Sequence, residues 1–153
     1  SSAACSASTW WPARPGDVMQ LVIDTNVVLD LFVFGEPTAR PLGERLRAGS
    51  LQWLATAPMR EELRRVLDYP KLAARVAFHR GDAAEVLADF DRHATLVPEA
   101  PKATVSCGDP DDQKFIDLAV AHRCLLLSKD DEVLRMRKRL ALLDVVTARV
   151  LPA

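Results

Sequence analysis

Cysteine and histidine are both scarce. Cys5, Cys107 and Cys124 are the only three cysteines, odd in number and far apart. That spacing excludes a disulfide framework and a CxxC metal knuckle, and it fits a reducing cytosol. The three histidines, His79, His93 and His122, are equally scattered. A zinc site is therefore not expected. Neither sign of charge prevails: 20 Lys and Arg against 21 Asp and Glu leave a net charge of -1. A wholesale basic coat is excluded, whereas a local basic patch is not. Long apolar runs are missing too, since Val27 to Phe34 is interrupted and Cys124 to Leu127 is far too short to cross ~30 Å of hydrocarbon. There is no internal repeat. Residues 1–18, rich in Ser, Ala and Pro, lack the basic start and apolar centre of a secretory signal. They read as a flexible extension, and Met19 directly before the first strand-like run suggests a tag remnant or a misplaced start.

What is present is the make-up of one globular domain. The 153 residues are 49% hydrophobic and 27% charged, which rules out disorder. Residues 19–153 are expected to form that domain. Gln20 to Ile23 is a β-branched apolar run, followed by a helical stretch from Thr25 to Phe34 that Gly35 ends. Helix (Thr38 to Ala48), strand (Leu51 to Thr56) and helix (from Pro58, broken at Pro70) follow. Further helices are expected at Lys71 to Phe78 and Asp82 to Ala94, then a short extended piece from Thr95 to Val97. After a loop, Asp109-Pro110 opens a helix to about His122, Cys124 to Leu127 is a buried strand, Asp131 to Arg139 is helical, and Asp144 to Thr147 is an edge strand. Strand-helix alternation without hairpin signals predicts a three-layer α/β/α fold around a mainly parallel sheet of four or five strands.

In such sheets ligands bind beyond the carboxyl ends of the strands, which draws attention to the polar residues there. Asp24 ends LVID and Asp130 ends LLLSKD. Helix capping is the competing role for each. On the helix around Arg60 to Asp68, residues advance about 100° each, so Glu62 lies about 85° from the centre of the apolar stripe and Glu61 about 175° away. Glu62 leans toward the core edge, where it needs a positive partner; an ion pair with a neighbouring arginine is the competing explanation. The same arithmetic sets Asp112 in register with Phe115, Ile116 and Ala119 and turns Asp117 away. For Asp109 and Asp112, a capping arrangement around Pro110 competes. Four elements thus each direct one acid toward what can be a common rim. Carboxylates that share a cavity repel, and a hard divalent cation, Mg2+ or Mn2+, is the usual reason for their coexistence. Such an ion would acidify a bound water and neutralise a phosphate, as phosphodiester hydrolysis requires.

These strings resemble those of PIN-domain (PilT N-terminus-like) proteins, in particular the branch of toxins from toxin-antitoxin pairs. The resemblance runs from about Met19 to the C-terminus. It is carried by LVIDTNVVLDLF, EELRRVLDYPKL and DPDDQKFIDLAVAHRCLLLSKDDEVL. It implies a metal-dependent endoribonuclease in the cytoplasm, with Asp24, Glu62, Asp112 and Asp130 as the catalytic, metal-binding acids. It also implies Asn26 and Ser128 as polar supports and Asp109 as an extra ligand. Lys129 stands where a small residue is frequent in that family; it would help hold phosphate or would displace metal charge. A cognate antitoxin is the implied protein partner besides RNA, a homodimer stays open, and no membrane partner is expected.

Two basic groups flank the acids. Arg60, Arg64, Arg65, Lys71, Arg75 and Arg80 surround the second motif, and Arg135, Arg137, Lys138 and Arg139 follow the fourth. Either can contact phosphates, and either can be a solvated helix face. Trp53 reads as core, whereas Trp10 and Trp11 belong to the extension. A haloacid dehalogenase-like phosphatase shares the strand-terminal Asp, but it wants a second Asp two residues later as general acid, and Asn26 cannot donate and recover a proton. A PIN-derived module that binds RNA or protein without cutting is the third reading.

Overall fold

The computed structural model describes residues 19–79, 82–108 and 110–151, with the His79 side chain excepted. The extension at 1–18, with Cys5, Trp10 and Trp11, lies outside the described residues, as do Arg80 and Asp109.

Five short strands form one sheet: β1 (Met19–Ile23), β2 (Leu51–Ala55), β3 (Ala94–Leu96), β4 (Leu125–Leu127) and β5 (Thr147–Ala148). Their order is β3-β2-β1-β4-β5 and every pairing is parallel. Parallel neighbours need crossovers, and the chain supplies helices for them: α1 (Thr25–Leu29), α2 (Arg40–Ala48), α3 (Ala57–Leu67), α4 (Pro70–His79), α5 (Ala83–His93), α6 (Gln113–His122), α7 (Asp131–Leu134) and α8 (Arg137–Ala141). Successive residues of a strand face opposite sides of a sheet, yet Leu21, Val22 and Ile23 are all buried, as are Leu125, Leu126 and Leu127. Both faces are therefore covered, and the architecture is the expected three-layer α/β/α fold. Trp53 lies in the core, edge-on to Phe90 with ring centroids 4.9 Å apart.

From β1 in the middle of the sheet the chain winds outward through β2 and β3, then returns to the other side of β1 for β4 and β5. The winding direction reverses between β1 and β4, which makes that boundary the crevice where open α/β sheets bind ligands. The register Ile23↔Leu127 and a hydrogen bond from the Asp24 N–H to the Leu127 carbonyl (2.9 Å) align the two strand ends there.

Some elements differ from the sequence expectation. The helix after β1 widens into a π-helical turn over Asp30–Phe34, which keeps both Asp30 and Val33 inside before Gly35 ends it at φ 60°. Residues 131–139 do not form one helix. The Met136 N–H bonds the Val133 carbonyl three residues back, and that tightening separates α7 from α8. The last strand begins at Thr147, because Asp144 takes a left-handed conformation (φ 65°) that extended pairing cannot accommodate. Pro110–Asp112 is a 3-10 turn, so Asp112 immediately precedes α6.

Candidate active site

Asp24 follows β1 and Ser128 follows β4, so the strand register makes them neighbours at the crevice. The Ser128 hydroxyl donates to Asp24 Oδ2 at 2.7 Å and accepts the Asp130 N–H at 3.1 Å. Asp24 is 3% exposed and Ser128 is fully buried. Asp24 sits at the start of α1, where its carboxylate is held chiefly by Ser128, with the Asn26 N–H of the first helical turn as a weaker partner. Asp130 does cap: its Oδ1 accepts the Glu132 N–H at 2.8 Å. The capping alternative thus holds for Asp130, whereas for Asp24 the Ser128 bond leads.

Glu62 reaches the crevice from α3. Its Oε2 accepts the Thr25 hydroxyl at 3.1 Å and its Oε1 pairs with the Lys114 ammonium. The positive partner comes from α6 and not from a neighbouring arginine, which corrects that expectation: Arg60 is committed to Asp91 through two bonds of 2.7 and 2.9 Å. Arg64 pairs with Glu61 and Asp68. Glu61 is on the exposed face, as helical phase requires. Asp112 is buried, 7% exposed. Asp117 stays outside the crevice, where it accepts the Ala103 N–H (2.9 Å) and the Gln113 amide (2.7 Å) and ties down the loop before α6.

Burial pushes the Asp24 carboxyl above its ordinary range, and the negative charges of Glu62 and Asp130 push it the same way. The Ser128 hydroxyl and, more weakly, the Asn26 N–H pull it down, but burial prevails. The charges of acids on two other elements therefore reach Asp24. If ionised Asp24 is the working form, Ser128→Ala removes a donor to that form and moves the acid limb of a kcat/KM profile to higher pH; a pH titration of activity that leaves the limb in place would detach Ser128 from the site.

Asn26 is exposed and touches the site through its backbone. Lys129 does not hold the acids of the crevice: its ammonium pairs with buried Asp30 at 2.6 Å. Sequence reasoning missed Thr25, Asp30 and Lys114. Asp30 had a signal, a charge inside an otherwise apolar run. Thr25 had a weaker one, a hydroxyl beside the strand-terminal acid. Cys124 is 1% exposed and burial pushes its thiol up to about 12, so it is a core residue and no nucleophile.

The acids of the crevice offer only oxygen, the donor set of a hard divalent cation and not of zinc. Among the described residues no three Asp, Glu, His or Cys side chains are grouped closely enough to hold a metal as they stand. Three of the acids are instead held by protein: Asp24 by Ser128, Glu62 by Thr25 and Lys114, Asp130 by the start of α7.

A parallel α/β/α fold with strand-terminal acids at its switch point defines a class, and comparison with known families specifies it. The PIN domain profile matches residues 20–131, most of the chain, and the chain belongs to that family. PIN domains are as a class nucleases, hydrolases that typically use divalent metal ions. No curated protein sequence matches the chain. Among the described residues no helix is long and apolar enough to cross a membrane.

Proposed function

We propose that this protein is a cytoplasmic, Mg2+- or Mn2+-dependent endoribonuclease, the toxin of a toxin-antitoxin pair. The observation that carries the reading is Asp24, buried at the β1-β4 switch point and sensing the charges of Glu62 and Asp130. Asp24, Glu62, Asp112 and Asp130 would hold the cation, with Asp109 as an added ligand. When bound, the cation supplies charge for the scissile phosphate and a more acidic water. Ser128 fixes the direction of Asp24 and Thr25 that of Glu62. One carboxylate of the rim accepts the proton of the attacking water. Asn26 in place of a general acid disfavours the phosphatase reading.

The test is cleavage of RNA by purified protein with Mg2+ or Mn2+, with EDTA abolishing it. Release of inorganic phosphate from small phosphomonoesters would favour the phosphatase, and inactivity toward both would favour a binding module. For the toxin role, a neighbouring frame whose small product relieves growth arrest is the expected finding.

The substrate path is proposed to run over the second basic group. Arg135, Arg137 and Lys138 line a groove with Arg149 beside the edge strand β5. Two of these cations are partly engaged, Arg135 with Glu132 and Arg149 with Asp131 at 3.1 Å. Arg139 is exposed on the same short helix. In the first basic group, Arg60 and Arg64 are in ion pairs and Arg75 lies 4.7 Å over the Phe34 ring. Neutralising Arg135, Arg137, Lys138 and Arg139 together is expected to weaken RNA binding and flatten its salt dependence, by about 0.7 in the log-log slope per lost phosphate contact. An unchanged slope with intact circular dichroism would make the run a solvated face. The same groove is open to an antitoxin segment.

A further inference from the structure

We infer that Lys114 is the resident counter-cation of the acidic crevice, seated on Glu62 and displaced from it when a divalent ion binds. The inference deepens the nuclease reading and rests on it for the identity of the ion. Lys114 follows Asp112 closely and lies in the first turn of α6. A cation there opposes the helix dipole, so its place calls for partners of its own. What it meets is Glu62: the ammonium pairs with Oε1 while the Thr25 hydroxyl takes Oε2. Both side chains are mostly shielded, 27% and 21% exposed, so the pair is screened less than an open surface pair. Two further contacts hold the ammonium near α6, a 2.6 Å bond to the Asp111 carbonyl and a position 4.9 Å from the centre of the Phe115 ring.

Ammonium and divalent ion seek the same carboxylate oxygens. In the absence of the ion, Lys114 balances the charge of Glu62 at the rim. In its presence, the doubly charged species wins the oxygen and the lysine swings aside, still tethered at the head of α6. The lysine thereby sets the concentration of ion at which the crevice assembles.

Mn2+ binding to the full chain without RNA tests this, measured calorimetrically or from the electron paramagnetic resonance of free Mn2+. Lys114→Met is expected to bind Mn2+ about 3- to 10-fold more tightly than wild type, and Lys114→Arg about as wild type. In EDTA the Met variant should melt a few degrees lower than wild type, with the gap closing at saturating Mn2+. Affinity that is unchanged or weaker in Lys114→Met overturns the inference, and so does a wild type that binds no Mn2+. Should Lys114→Met fail to fold, Lys114→Gln is judged by the same criterion. RNA cleavage is read separately. Tighter Mn2+ binding in a protein that cleaves no RNA sustains the role of Lys114 and sinks the nuclease reading.

Discussion

Asp24→Asn is expected to lower metal-dependent RNA cleavage at least about 100-fold in kcat/KM, about 2.7 kcal/mol of transition-state stabilisation. A loss within about tenfold would mean that the site has been placed wrongly. The same substitution is expected to raise the melting temperature at pH 7 in EDTA. Burial and the charges of Glu62 and Asp130 raise the Asp24 pKa in the folded chain. For a raised carboxyl, the stabilising contribution is present below the unfolded-state pKa and is lost as pH rises through the folded value, so ionised Asp24 is a cost at neutral pH. Asn removes that charge and can still accept the Ser128 hydroxyl. The gain in stability should therefore vanish at acid pH, where Asp24 is protonated in both states. Thermal melts across pH, beside cleavage assays freed of EDTA-resistant background, check both halves. A variant both less active and less stable at pH 7 would point to a structural role for the carboxylate.

Glu62→Gln is expected to cost about 10- to 100-fold in metal-dependent cleavage, whereas Glu61→Gln should stay within about twofold of wild type. The two residues are adjacent, so the contrast isolates direction from position. Glu62 faces Thr25 and Lys114 in the crevice, and Glu61 meets Arg64 in solvent. Gln at position 62 keeps an acceptor for the Thr25 hydroxyl but loses the charge that holds Lys114. A surface ion pair such as Glu61–Arg64 is worth little in either direction. Equal losses in the two variants, measured as kcat/KM on one RNA, would show that the orientation of α3 has been misread.

Much of the candidate site was legible because its markers are local. Asp24 stands where an apolar β-branched run stops, and helical phase alone separated Glu62 from Glu61. Phase says which side of a helix faces inward, but it does not say what waits there. Glu62 needed a positive partner, and the nearest arginines in sequence were the natural choice. Arg60 and Arg64 are spent instead on Asp91, Glu61 and Asp68 across exposed faces. Lys129 looked poised over the acids, yet the π-helical turn after α1 keeps Asp30 buried, and Asp30 takes that ammonium.

Strand-helix alternation, the parallel sheet and the inward lean of Glu62 were therefore legible in the sequence, since period-2 and period-3.6 patterns are properties of short windows of chain. Only the tertiary structure decided the strand order that sets the switch point between β1 and β4, the Ser128–Asp24 bond and the Lys114–Glu62 pair. Each of those joins residues from elements far apart in the chain. Their meeting depends on crossover direction, strand register and the space left by neighbouring side chains, none of which a local period encodes.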